Sequence, residues 1–265
     1  NIGGNGTLQQ SKNLSKRLLN NVKIASCPKT VDNDLGDKEM EDVFFTPGFP
    51  SCVNWWNKHL DLINIESLGA YTHDKVLVVQ TFGRETGFIC AACQGNNEYK
   101  EVLVYGIPES GISLDLLEKK IIECLNTNNR CIVIISEGLF EDQLKHNYDL
   151  AGQIQFSGGE STSAQFLANY LTKKGVNSRS IIPNTLQRVF VEEVLKYDRE
   201  VAFTQGYKCM ELLDQGCSDF LISLSQKTLN ISHLYYDNLP DNYSRKLKDE
   251  FISNHMPSFV YNDYL

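Results

Sequence analysis

Runs of consecutive apolar residues alternate along the chain with longer stretches in which apolar positions recur every three to four residues, and turn formers lie between them. The short runs predict strands and the periodic stretches predict helices, an order that signals an α/β sheet with crossover helices. Strands are predicted over residues 22–27, 75–81, 101–105, 130–136 and 178–182, with one more over 220–225. Helices are predicted over 51–68, 85–94, 113–126, 161–174 and 198–215. From 239 to 265 the pattern predicts a polar connection, a helix and an aromatic-rich segment. No internal repeat, low-complexity block or clear linker interrupts it.

With 265 residues, 42% of them hydrophobic, the chain can bury a sizeable core as one large domain or two small ones. A net charge of -8 without any Lys/Arg-rich run excludes nucleic acid and anionic membrane as the main partner, since both need clustered positive charge. An anionic small substrate stays compatible, held by a few local cations and backbone N–H groups. No apolar stretch approaches the roughly 20 residues that cross a bilayer, and the opening residues lack a signal peptide's charged and apolar segments, so a soluble, cytoplasmic protein is expected. The eight cysteines are too sparse for a disulfide scaffold. Cys90 and Cys93 have a metal-like spacing, but no second pair or histidine lies nearby, and packing residues one helical turn apart are expected.

Several segments just after predicted strands carry candidate chemistry, the place where α/β proteins put it. Gly3-Gly4-Asn5-Gly6-Thr7 opens a helical stretch, so a phosphate could approach its backbone N–H groups, or it is simply a turn. A strand should precede it and only two residues do, so the chain is expected to be a fragment or to have its missing part supplied elsewhere. Cys27-Pro28-Lys29-Thr30-Val31-Asp32-Asn33-Asp34 packs a lysine, a hydroxyl and two carboxylates into one loop. A carboxylate there could accept a hydroxyl proton while Lys29 neutralises a phosphoryl group; an Asx-rich surface turn fits the same residues. Arg84, in Phe82-Gly83-Arg84-Glu85-Thr86-Gly87, could clamp a sugar phosphate or pair with a surface carboxylate. Glu109 and Glu137 each follow a strand. Arg179 and Arg188 lie nine residues apart beside another strand end and could be phosphate ligands or surface ion-pair partners.

Taken in order, these segments resemble the phosphofructokinase family along almost the whole chain. The matches are Gly3-Gly4-Asn5, the run from Pro28 to Asp34, Phe82-Gly83-Arg84 with Gly87, Pro108-Glu109, Ser136-Glu137-Gly138 and Leu186-Gln187-Arg188. Thr46-Pro47-Gly48-Phe49 and Asn184-Thr185-Leu186-Gln187-Arg188 resemble the bacterial pyrophosphate-dependent branch. The resemblance implies that Asp32 is the base toward a sugar hydroxyl, with Asp34 supporting it. It implies sugar-phosphate contacts for Thr30, Phe82, Gly83, Arg84, Glu109 and Arg188. It matches Lys75 and Arg179 to positions that the family lends to a neighbouring subunit. Gly4, Asn5, Gly6, Thr7 and Lys29 would hold the phosphoryl donor. Lys29 stands where ATP-using bacterial relatives carry Gly, which favours a compact, highly charged donor. In the departures, Asn5 replaces the turn's metal-binding acid, Gly6 an acid common among pyrophosphate users, Phe82 a Met, and Thr185 a His or Tyr. The segment that precedes the turn in the family, with its first phosphate loop and an arginine, is absent from the sequence.

The resemblance therefore implies an α/β, two-lobed phosphofructokinase-like fold with parallel-sheet lobes, the donor-side lobe incomplete. Residues 1–44 with 187–225 would form the donor lobe, and 45–186 with 226–265 the sugar-phosphate lobe. The implied function is Mg²⁺-dependent phosphoryl transfer from pyrophosphate to fructose 6-phosphate in a homo-oligomer with shared sites. ATP as donor, or a non-catalytic sugar-phosphate-binding regulator or scaffold, are the alternatives.

Overall fold

The computed structural model describes residues 1–18, 22–94, 98–144, 147–148, 154–155, 162–189, 192–248 and 250. In chain order the elements are β1 (Ile2–Gly3), α1 (Asn5–Leu18), β2 (Ala25–Pro28), α2 (Phe49–Ala70), β3 (Val76–Thr81), α3 (Phe88–Ala92), β4 (Leu103–Gly106), α4 (Leu114–Asn128), β5 (Cys131–Ser136), β6 (Asn147–Tyr148), β7 (Ile154–Gln155), α5 (Ser163–Lys173), β8 (Ser178–Ile181), α6 (Lys196–Asp214), β9 (Phe220–Leu224) and β10 (Ile231–Tyr235). The chain divides into two compact units, Asn1–Asn54 with Phe190–Arg245 and Trp55–Val189 with Lys246–Leu265.

The first unit holds a four-stranded sheet in the order β1-β2-β9-β10, parallel except for β10, which runs antiparallel to β9. Successive side chains of β9 face opposite ways, and its two faces feed two separate cores. Leu221 packs with Leu8 of α1, Ile24, Leu35, Val43, Tyr236, Leu239 and Tyr243. Phe220 and Ile222 pack with Ala25 and with Cys209 and Leu212 of α6. The start of α2 is satisfied by a carboxylate from another element: Asp198 accepts from Gly48 N at 2.9 Å, Ser51 N at 3.2 Å and Ser51 Oγ at 2.6 Å.

The second unit holds an all-parallel sheet in the order β4-β5-β3-β8. Both central strands, Val-Leu-Val-Val-Gln-Thr in β3 and Cys-Ile-Val-Ile-Ile-Ser in β5, are buried at all six positions, as a sheet covered on both faces requires. Val76, Val78, Val133 and Ile135 pack under Leu117 and Ile121 of α4 and Leu167 and Leu171 of α5. Ser113 caps α4 by accepting from Leu116 N, and Thr162 caps α5 by accepting from Gln165 N. Cys90 is fully buried and donates to the Ile134 and Gly106 carbonyls, while Cys93 is buried beside it.

Several elements depart from the sequence expectation. β2 begins at Ala25 rather than at 22, because Ile24 N donates to Ser218 Oγ instead of entering the ladder. The helix expected over 85–94 shrinks to Phe88–Ala92, since Gly83 holds φ at 120° and the chain turns before it can coil. β10 was not expected: its alternation is weak because this edge strand is only partly buried. Its pairing with β9 moves residues 226–245 into the first unit, whereas the sequence placed them in the sugar-phosphate lobe. The expected start of α5 at 161 and the tail over 251–265 lie outside the described residues.

Candidate active site

In the first unit, the turn after β1 and the loop after β2 are built against each other. Parallel pairing of the two strands puts Lys29 N at 3.0 Å from Gly3 O. A Cβ on Gly3 would lie 2.2 Å from Thr7 Oγ1 and 2.6 Å from Thr7 Cβ, so the entry into α1 needs a glycine there, whereas one on Gly4 would make only ordinary contact with Thr30 Cβ at 3.4 Å. Asn5, at the helix start, donates through Nδ2 to Asp34 O at 3.2 Å and to Asp34 Oδ2 at 3.0 Å. Its Oδ1 is buried with no hydrogen-bond partner among the described residues. Gly6 opens onto empty space, and Lys29 is exposed.

The acidic loop has an internal frame. Asp32 N donates to Thr30 Oγ1 at 3.1 Å, and the Thr46 hydroxyl donates to Thr30 O at 2.7 Å. Asn33 takes a left-handed conformation, φ 56°, which Asn tolerates better than most residues. Its Oδ1 accepts from Thr46 N at 3.0 Å. Asp32 is half-buried and lies close enough to Cys52 that its charge, with burial as the larger cause, pushes that thiol well above its ordinary range.

In the second unit, parallel pairing brings the loops after β3, β4, β5 and β8 to one sheet edge, and these loops carry Arg84, Glu109, Glu137 and Arg188. Arg84 Nε is 3.8 Å from the buried Glu137 carboxylate, which leaves the guanidinium half-exposed. Its loop is pinned from below: Gly138 N donates to Gly83 O, and a Cβ on Gly138 would fall 1.6 Å from Arg84 O. The Arg188 guanidinium lies 5.6 Å from the centre of the Phe82 ring, a cation–π contact. Gln187, which sequence reasoning did not single out, is buried and accepts from Phe82 N at 2.9 Å and Trp56 Nε1 at 3.2 Å. Glu109 Oε1 accepts from Gly87 N at 2.9 Å and Leu247 N at 3.2 Å; burial raises its pKa, and these N–H groups partly oppose the rise.

Lys75 and Arg179 are not brought to this edge. Lys75 precedes β3 and Arg179 pairs in register with Leu77, so both lie at the amino end of the sheet. The six residues of β3 separate that end from Arg84 by about 20 Å. Arg179 is tied there to Glu66 and, at 3.4 Å, to Asp74. Among the described residues no group of three or more His, Cys, Asp or Glu side chains could hold a metal ion, and no helix is long and apolar enough to cross a membrane.

The fold and these loops define an α/β protein that gathers charged residues at the carboxyl ends of parallel strands, in the order read from the sequence. The phosphofructokinase family model matches residues 1–213, and the chain belongs to that family. It is 30% identical over 224 residues to the ATP-dependent 6-phosphofructokinase 3 of Streptomyces coelicolor, covering 81% of this chain and 59% of that one. It is 25% identical over 228 residues to the pyrophosphate–fructose 6-phosphate 1-phosphotransferase of Rhodospirillum rubrum, covering 79% and 54%. The chain thus spans somewhat over half the length of these relatives. The fold is shared with the crystal structure of a pyrophosphate-dependent phosphofructokinase from Nitrosospira multiformis, with a TM-score of 0.70 at 22% identity, covering 95% of this chain and 61% of that one.

Proposed function

We propose that the full-length protein transfers a phosphoryl group from pyrophosphate to the 1-hydroxyl of fructose 6-phosphate, giving fructose 1,6-bisphosphate. The observation that carries the reading is the joined pair of loops in the first unit: a Gly-rich helix entry packed on Thr30 and hydrogen-bonded to Asp34, within one short loop of Asp32 and Lys29. Such a junction puts backbone N–H groups for a donor phosphate beside a carboxylate for an acceptor hydroxyl. Asp32 accepts the hydroxyl proton, Asp34 orients Asn5, and Lys29 with the N–H groups of Gly4, Asn5, Gly6 and Thr7 holds the donor. Arg84, Glu109 and Arg188, with Thr30, Phe82 and Gly83, hold the sugar phosphate. Lys75 and Arg179, at the far sheet edge, serve a second copy of the chain in a homo-oligomer.

Mg²⁺ fits this junction. Buried Asn5 Oδ1 is a hard oxygen donor without a hydrogen-bond partner among the described residues, the Asp34 carboxylate is adjacent, and Mg²⁺ needs only one or two protein oxygens besides phosphates and water. When bound, it would neutralise charge on the donor phosphate oxygens.

The 30% identity to an ATP-dependent relative favours ATP as the second donor candidate. Replacing Asp32 by Ala in the full-length protein tests the reading. The catalytic rate should fall about 10²–10⁴-fold, the usual worth of a general base, while fructose 6-phosphate binding stays within about threefold. An unchanged rate would remove Asp32 from the reaction. Sugar-phosphate binding with no transfer by the unaltered protein would favour a regulatory member of the family.

A further inference from the structure

Arg245 lies beyond residue 213, where the family match ends, and it is 1% exposed. Its guanidinium reaches into the acidic loop: Nε donates to Asn33 O at 2.7 Å, Nη2 to Asn33 Oδ1 at 2.6 Å, and Nη1 to Val43 O. Its backbone N–H donates to Asp34 O at 2.8 Å. The pocket around it is tight, since a Cβ on Gly36 would sit 3.1 Å from Nη1. Burial lowers its pKa to about 10, so it stays cationic at neutral pH. Burying a guanidinium is costly unless its donors are satisfied, and here carbonyl and amide oxygens of the loop and its return segment accept from all three nitrogens. Asn33 stands between Asp32 and Asp34 and holds a left-handed φ, so the conformation that aims both carboxylates depends on what grips Asn33.

We propose that Arg245 is a positioning residue that locks the loop 30–34 through Asn33 and thereby holds Asp32 where it accepts the substrate proton. The loop is short and has few apolar anchors of its own, so its order comes from polar bonds: Thr46 grips one side and Arg245 the other. The proposal rests on the reading of Asp32 as the base. A misplacement of about 1 Å in a reacting group can cost on the order of 10²-fold in rate.

The test is Arg245→Lys in the full-length protein, which keeps the charge but loses the planar fork. Three quantities are read: the rate constant with saturating fructose 6-phosphate and donor, the KM for the sugar, and amide hydrogen exchange. The rate constant should fall roughly 10- to 100-fold with KM changed less than about threefold, while exchange at 32–34 accelerates and protection in β2 and β9 of the same unit is retained. An unchanged rate, or a lowered rate with unaltered exchange in the loop, overturns the positioning role. If Arg245→Lys does not fold, Asn33→Gly removes one acceptor while permitting the same φ, and a smaller fall of the same pattern is expected; a full rate there also overturns the proposal. If the unaltered protein transfers no phosphoryl group, the reading of the reaction fails by itself, and the exchange comparison still decides whether Arg245 orders the loop.

Discussion

Substituting Gly138 by Ala perturbs Arg84, a proposed sugar-phosphate ligand, through its backbone and leaves its side chain chemically unaltered. The new Cβ would lie 1.6 Å from Arg84 O, 2.6 Å from its carbonyl carbon and 3.1 Å from its Cα, so it meets backbone and not a side-chain tip that could swing away. Restoring a contact of about 3 Å or more requires Arg84 or residue 138 to shift by over 1 Å. Gly83 O, which accepts from Gly138 N, moves with it. If Arg84 clamps the sugar phosphate as proposed, a displacement of that size should lower kcat/KM for fructose 6-phosphate about 100-fold, mostly through KM, because such a contact holds substrate and transition state alike. Overpacking should also cost about 1–3 kcal/mol of stability, so the assay belongs well below the melting temperature and alongside a thermal scan. Gly69→Ala is the control: its Cβ meets nothing within 4 Å, and replacing a helical Gly should leave kinetics unchanged and raise stability by up to about 1 kcal/mol. A folded Gly138→Ala protein with KM within twofold of the original would refute the account of how Arg84 is held.

Lys29→Gly removes an exposed point charge from the loop proposed to hold the donor and should reduce kcat/KM for pyrophosphate more than for ATP; equal losses would detach donor choice from this residue. Glu109 has its pKa raised by burial, so its protonated form favours folding. That contribution is complete below the ordinary carboxyl value near 4.5 and is lost as pH rises through the raised one. The thermal midpoint of Glu109→Gln should therefore gain on the unaltered protein as pH climbs from about 4 toward neutrality, and a pH-independent difference would contradict it.

Much of the fold could be read from the chain because its central strands are unmixed apolar runs: β3 and β5 fell within a residue of their expected bounds. What escaped was set by long-range contacts. β10 is an edge strand that becomes recognisable only through its register with β9, and without it residues 226–245 have no visible reason to join the first unit. At the site, the loops carrying Arg84, Glu109 and Arg188 were legible because each directly follows a strand. Gln187 was read only as part of a motif, although a buried amide bridging Phe82 and Trp56 has no periodic signature. Arg245 is a lone basic residue in a polar stretch, 212 positions from the asparagine it grips, and no local pattern could have joined them.

The central claim is most directly tested by fructose 1,6-bisphosphate formation by the full-length protein, with Mg²⁺ and fructose 6-phosphate and each donor supplied in turn. Product with pyrophosphate, at a kcat/KM above that with ATP, is the predicted result. Product with ATP alone would contradict the donor assignment, and no product with either donor would contradict the proposed reaction.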